Sequence, residues 1–242
     1  MNDAAYAYAA APAPELHPAL DWAAVSEMFS RNGRVHIPGA LTPISAERIH
    51  HALRAERRWT LILNKDGVPA APPPPPPAER MRHGAAAWDY AQGRFAFIYD
   101  NHRLSFSGEA YEFPQSYFAH VVRFLNGPAF LAAMRRITGV ESIAFADAQA
   151  TIYRPGDFLT AHDDDAEGKN RVAAYVLNFT RDWRSDWGGE LQFLDGQGAV
   201  TTGYTPTFNA LNLFRVPQRH RVNRVALQAG NRYSITGWLR TR

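Results

Sequence analysis

The 242-residue chain contains no cysteine. That absence excludes a disulfide framework, a thiolate metal site and a cysteine nucleophile, and it fits a reducing cytoplasm. Long apolar runs are missing too: no uncharged stretch approaches bilayer-spanning length. The opening residues, MNDAAYAYAAAPAPELHPAL, lack the basic start and continuous apolar stretch of a secretory signal. A soluble, cytoplasmic protein without a membrane partner is expected. Charge of one sign is also scarce, with 26 Lys and Arg against 23 Asp and Glu and a formal net charge of +3. Nucleic-acid binders carry a dense basic stripe, so nucleic acid is not an expected partner. No repeat of solenoid or propeller period recurs.

What the chain does have is 46% hydrophobic and 12% aromatic residues, enough for one substantial core. Residues 1–20 form an Ala- and Pro-rich arm with too little apolar variety to order itself, so a flexible arm is expected ahead of a single domain over 21–242. In LTPISAERIHHALRAERRW the spacing predicts an amphipathic helix, with Thr42 and Ser45 as candidate caps and Pro43 as a tolerated early residue. WTLILN (59–64) reads as a strand, and residues 65–84 read as a proline-rich loop, since six consecutive prolines at 72–77 favour polyproline II. YFAHVVRFLNG (117–127) and PAFLAAMRRITG (128–139) predict two helices, each closing on a glycine able to take the left-handed cap. GRFAFIYDNHRLSF (93–106) has strand character and is a candidate source of substrate-facing side chains. Residues 21–141 are thus a mixed, largely helical support. From 142 to 242 the pattern becomes short β-type runs between Gly, Asp and Pro, as in a sandwich or barrel. The fold class is α+β, mainly β.

Of nine histidines only His162 precedes a carboxylate by two positions, in TAHDDDAEG (160–168). Such a pair is expected by chance about once in a chain of this composition, so its context must decide. On an extended segment His162 and Asp164 share a face while Asp163 and Asp165 point away, which singles out Asp164. His220 ends a β-rich stretch and completes a set of two imidazoles and one carboxylate. That set leaves one face of a metal open and suits non-haem iron(II), with zinc as the runner-up. Twelve residues on, Arg232 offers a planar, permanently charged fork for the far carboxylate of a dicarboxylic cosubstrate, and Ser234 on the same strand face can add a hydrogen bond. A zinc hydrolase has no need of this pair. His50, His51 and His120 sit on predicted helices and read as exposed or packing residues. Trp183 and Trp187 read as loop-base packing.

The ordered set Tyr153-x-x-Gly156-Asp157, His162-x-Asp164, Tyr175-Val176-Leu177-Asn178, Gly188-Gly189-Glu190-Leu191, His220-x-Val222 and Arg232-x-Ser234-Ile235-x-Gly237-Trp238 resembles the prolyl-hydroxylase branch of the Fe(II)- and 2-oxoglutarate-dependent oxygenases. It is most similar to those acting on a prolyl residue of a ribosomal or other folded protein. The resemblance spans roughly 142–242 and implies a double-stranded β-helix, or jelly roll, with supporting helices from the N-terminal half. It implies Fe(II) on His162, Asp164 and His220, and 2-oxoglutarate on Arg232 and Ser234 with Tyr153 beside it. It further implies O2 as cosubstrate, ascorbate as a candidate reductant, and succinate and CO2 as products. Val176 stands where some family members carry a tyrosine that contacts 2-oxoglutarate, which leaves Tyr175 and Asn178 as second-tier candidates beside a bland role in the sheet core. Asp164 also argues against the halogenating branch, where a small residue replaces the carboxylate. The expected partner is a protein, peptide or amino-acid substrate. The alternatives are a hydroxylase of a free amino acid or small metabolite, a zinc-dependent protein, and a jelly-roll binding module without turnover. Oligomeric state has no signature in the sequence.

Overall fold

Strand Phe97–Ser105 shows how this sequence builds two surfaces at once: Ile98, Asp100, His102 and Leu104 are buried on one face, while Phe97, Tyr99, Asn101 and Arg103 point the other way. The helices press on the first face and a cavity opens on the second. The computed structural model describes residues 11–65, 68–70 and 75–242. Among these are helices α1 (Trp22–Asn32), α2 (Pro43–Ala55), α3 (Pro77–Tyr90), α4 (Tyr117–Leu125) and α5 (Pro128–Thr138). The strands are β1 (Arg34–Pro38), β2 (Thr60–Lys65), β3 (Val68–Ala70), β4 (Phe97–Ser105), β5 (Phe145–Ala146), β6 (Ala148–Tyr153) and β7 (Phe158–His162). They continue with β8 (Arg171–Asn178), β9 (Leu191–Leu194), β10 (Val200–Tyr204), β11 (Ala210–Arg215), β12 (His220–Val222) and β13 (Arg232–Arg240). No described helix is long and apolar enough to cross a membrane.

The strands pair antiparallel in the order β1-β11-β8-β13-β6-β4-β7-β12-β9-β10, with β2 on β3 and β4, and β5 on β13. β4 turns the corner, pairing β6 along one stretch and β7 through Phe97 and Ile98. At the open ends of the path Arg34 of β1 donates to Thr202 Oγ1 of β10 at 2.9 Å, so the sheet is nearly closed. This is the jelly-roll architecture that the resemblance implied. The main core lies between the helices and the β1-β11-β8-β13-β6 face, where Phe29, Ile49, Phe118, Phe130 and Met134 meet Ile152, Leu177, Leu211 and Ile235. Helix α4 buries Tyr117, Phe118, Val121, Val122 and Leu125, one apolar stripe at helical spacing.

Three local expectations meet a different structure. Of the arm expected over 1–20, residues 1–10 lie outside the described residues, but 11–20 run along the core: Thr42 N–H donates to Glu15 O, Glu15 N–H to Ser45 Oγ and His17 N–H to Ala40 O, each at 3.0 Å. These hydrogen bonds, together with Ala11, Leu16 and Leu20 packed against the core, order this stretch. The loop expected over 65–84 contains strand β3 and the first turns of α3, because Pro77 occupies the first helical turn, where a proline forfeits no hydrogen bond. Gly127 does not close α4 in the left-handed conformation; Asn126 caps that helix, and Gly127 opens α5, its carbonyl accepting from Leu131 N–H at 3.1 Å. Gly139 does take the left-handed cap.

Helix α3 is fastened to the barrel by ions. Arg80 donates to Asp100 Oδ1 at 2.5 Å and to Asp157 Oδ2 at 2.6 Å, while Arg154 reaches Asp100 Oδ2 at 2.6 Å and its backbone N–H reaches Asp157 at 2.8 Å. Burial pushes the Asp157 carboxyl up to about 7 against the pull of Arg80. Arg80→Met removes the one side chain among the described residues that bridges both buried carboxylates. It is expected to lower the unfolding free energy by roughly 3 kcal/mol, read from a shifted urea midpoint. A loss below about 0.5 kcal/mol would mark the bridge as an ordinary surface pair.

Candidate metal centre and cosubstrate pocket

On β13 the inward residues alternate as Arg232, Ser234, Thr236 and Trp238, and the register sets Tyr153, Thr151 and Gln149 of β6 opposite the first three. These side chains, with Phe97 and Tyr99 of β4, line a cavity of ≈ 240 Å³ inside the barrel. Gly237 lets β13 run this close to its neighbours, because a Cβ there would collide with the Asp147 carbonyl oxygen and lie 2.9 Å from the Tyr175 hydroxyl.

His162 is the last residue of β7 and His220 the first of β12, and the register pairs them directly. Their ring centroids are 4.2 Å apart, and ligand atoms of His162, Asp164 and His220 all lie within 4.8 Å of one another. Asp164 sits between the rings, with Oδ1 3.4 Å from His162 Nε2 and Oδ2 3.4 Å from His220 Nε2. Asp164 reaches that place by a route that strand alternation did not foresee. β7 ends at His162, and Asp164 takes a left-handed backbone with φ 65°, which short Asp tolerates better than most residues. The Arg171 guanidinium donates to the Asp164 carbonyl at 2.9 Å and helps hold the turn. Burial pushes the Asp164 carboxyl up, but the His162 and His220 rings and the Trp238 indole outweigh it and hold the carboxyl below its ordinary range.

Each imidazole is oriented from behind. His162 Nδ1 lies 2.9 Å from Thr160 O and His220 Nδ1 lies 2.8 Å from Gln218 O. A carbonyl can only accept, so each Nδ1 carries the proton and each Nε2 turns a lone pair toward the cavity. Burial, and then His162, push the His220 pKa down to about 4, so this ring is neutral and free to bind a cation at physiological pH.

Arg232 is 2% exposed, and no carboxylate among the described residues pairs with it. Its Nε and Nη1 have no hydrogen-bond partner, and Nη2 makes only a long contact of 3.5 Å to Asn178 Oδ1. Burial pushes its pKa down to about 10, so it is still a cation at neutral pH. A buried, unpaired guanidinium is costly and selects for an anion placed against it. The Tyr153 ring lies 5.2 Å from it and stacks on Tyr99 with centroids 5.0 Å apart. Ser234 and Thr151 share a hydroxyl hydrogen bond of 2.7 Å one step along the same face. Gly189, at φ 66°, passes over this end, where a Cβ would press Trp183 and Val225 at 3.1 and 3.2 Å.

The second-tier candidates separate here. Tyr175 donates its hydroxyl to Asp147 O at 2.7 Å and packs in the main core. Asn178 stays beside Arg232. Trp183 and Trp187 pack edge to face at 5.3 Å under the Gly188 turn, with Trp183 Nε1 donating to Gly188 O at 2.9 Å. His50 is a buried core residue bonded to Phe179 O at 2.7 Å. Sequence reasoning missed Arg171, Trp238 and Gln149 as cavity walls. Trp238 was within reach of the pleat argument, four residues beyond Ser234 on the same face.

Residues 148–240 match the family model described as "2OG-Fe(II) oxygenase superfamily". That match covers less than half of the chain, and through it the segment is similar to the 2OG-Fe(II) oxygenase superfamily. The description of that superfamily names Fe(II) and 2-oxoglutarate, and the His162, Asp164 and His220 cluster is a candidate for holding the metal. Among curated proteins the chain is 29% identical to the Mus musculus prolyl 3-hydroxylase OGFOD1 over 116 residues, 45% of this chain and 21% of that one. It is 28% identical to the Ostreococcus tauri prolyl 3,4-dihydroxylase OGFOD1 over 130 residues, 49% and 25% of the two chains. The chain therefore matches only about a fifth to a quarter of the length of these relatives. Its fold is similar to that of a Pseudomonas putida prolyl-4-hydroxylase, with TM-score 0.57, 17% identity and 91% of this chain and 99% of that one covered. It is also similar to a Trichoplax adhaerens prolyl hydroxylase solved with a hypoxia inducible factor peptide fragment, with TM-score 0.60, 16% identity and coverage of 91% and 89%.

The back-bonding of the two rings gives a direct check. Long-range 1H–15N spectra of the metal-free protein are expected to place the His220 proton on Nδ1 and to keep that ring neutral down to about pH 5. An Nε2–H tautomer, or titration near the ordinary histidine value, would contradict the geometry.

Proposed function

We propose that the chain is an Fe(II)- and 2-oxoglutarate-dependent dioxygenase that hydroxylates a prolyl residue of a protein or peptide and releases succinate and CO2. The observation that carries this reading is the buried Arg232 guanidinium, without a carboxylate partner among the described residues and lining the same cavity as the His162, Asp164 and His220 cluster. A metal hydrolase needs no such cation. In this reading the two Nε2 lone pairs and the Asp164 carboxylate hold the metal on one side and leave the other side open. Arg232 receives the distal carboxylate of 2-oxoglutarate, with the Ser234 and Thr151 hydroxyls as further donors and Tyr153 as the wall beside it. Bound iron supplies oxygen activation coupled to decarboxylation of the cosubstrate, and the chain's own residues supply position and shelter.

The mouth of the cavity suits a ring in a polypeptide. The Arg171 guanidinium carbon lies over the Trp238 indole, 3.7 Å from its centroid, and Arg171 Nε has no partner. An apolar face beside a free N–H donor fits a prolyl ring and an adjacent backbone carbonyl. On the opposite side Phe95, Phe97, Tyr99 and Tyr153 form a continuous aromatic series with successive centroids 5.4, 6.0 and 5.0 Å apart, and the outermost, Phe95, lies 5.6 Å from the His162 ring. The relatives named for prolyl hydroxylation support the same substrate class.

Two measurements test the reading. Mixed anaerobically with Fe(II) and 2-oxoglutarate, the protein is expected to develop the visible charge-transfer band of the chelate, and in air to form succinate; the absence of both would refute the oxygenase reading. Arg232→Ala is expected to weaken 2-oxoglutarate binding by at least about 100-fold, the loss of a buried charge-assisted pair. The same variant should still bind Mn(II), as read by electron paramagnetic resonance. Unchanged cosubstrate affinity would remove Arg232 from its role.

A further inference from the structure

A second cavity of ≈ 290 Å³ adjoins the first and shares four of its walls, Gln149, Thr236, Gly237 and Trp238. It is not a separate site but an extension along the outward-facing residues of β4, toward Arg103 and Phe106. A polar strip crosses the join: Asn101 donates to Gln149 Oε1, and Gln149 Nε2 donates to Thr236 Oγ1 at 3.2 Å. Three strands thus set side-chain amide and hydroxyl groups in a row across the floor, a surface that can meet the alternating N–H and C=O groups of an extended chain.

The far end of this groove is cationic. Around the Phe106 ring stand Arg103 and Lys169 at 5.2 Å and Arg240 at 5.4 Å. Two carboxylates answer them: Glu109 lies 3.0 Å from Arg103 on an exposed edge, and Asp147 lies 3.2 Å from the buried Arg240. Lys169 pairs with no carboxylate among the described residues, and Arg171 adds a further cation at the join. The balance at this end is positive although the chain as a whole is nearly neutral.

We propose that this groove binds the stretch of a polypeptide substrate flanking the hydroxylated residue, and that its Arg103–Lys169 end selects a carboxylate side chain there. The inference rests on the oxygenase reading above and deepens it from a prolyl residue to a prolyl residue in a defined acidic context. Strand geometry sets the spacing. Arg103 lies four residues beyond Tyr99 on β4, about 13 Å along the strand, which an extended peptide covers in about four residues.

The test uses full-length protein loaded with Mn(II) and 2-oxoglutarate and a set of fluorescein-labelled peptides. Each peptide has a central proline in a Gly-Ser-Ala background and one Asp or Asn placed at each position up to five residues on either side. Anisotropy is expected to show one position, three to five residues from the proline, where Asp binds at least about ten-fold tighter than Asn at low salt. In Arg103→Glu/Lys169→Glu the preference should vanish or pass to Lys at that position. The Fe(II)–2-oxoglutarate band should be unchanged in the same variant, since neither residue lines the metal or cosubstrate pocket. Equal binding of Asp and Asn peptides, a preference that survives the double variant, or failure of every proline peptide to bind would each overturn the proposal. Loss of the band in the unaltered protein would instead overturn the oxygenase reading, so the two failures are distinguishable.

Discussion

A guanidinium buried without a counter-ion is the constraint around which this molecule is arranged. Arg232 is held in the barrel by β13, the strand flanked by β6 and β8, and its charge meets no carboxylate among the described residues. Leaving such a group unsatisfied costs several kcal/mol, which only a packed and nearly closed sheet can sustain. The helices on the opposite face supply that packing through one continuous apolar core. The strain at the site and the solidity of the support are thus two sides of one arrangement. The cavity is polar where an anion belongs and aromatic elsewhere.

How far the sequence disclosed this depends on the range over which each contact acts. The two-residue pleat links Arg232 to Ser234 and needs nothing but their spacing, and the structure keeps both on the inward face. Helices with clean apolar stripes, such as the one over Tyr117–Leu125, were equally readable. The meeting of His162 with His220 depends on a register between strands 58 positions apart, which local pattern does not encode; family likeness supplied it. Asp164 is an instructive case, since alternation singled out the residue that does sit between the rings although its backbone has left the strand and turned left-handed.

Other features escaped because tertiary contacts outweighed local preference. Composition made residues 11–20 look unable to order, yet their backbone borrows partners from the Ala40–Ser45 stretch. A run of prolines looked like a loop throughout, yet its last member opens a helix that Arg80 then fastens to two buried carboxylates. The aromatic series on β4 was visible as a strand, but which face would meet the cavity was fixed only by the pairing of β4 with both β6 and β7.

The cavity is made by two parts of the chain with different histories of likeness. Its reactive groups lie within residues 148–240, the segment that matches the oxygenase family, whereas Phe95, Phe97, Tyr99, Arg103 and Phe106 come from ahead of it. The metal-ligand cluster and the walls in front of it are therefore separately editable. Substitution along one strand can reshape those walls while leaving His162, Asp164, His220 and Arg232 in place.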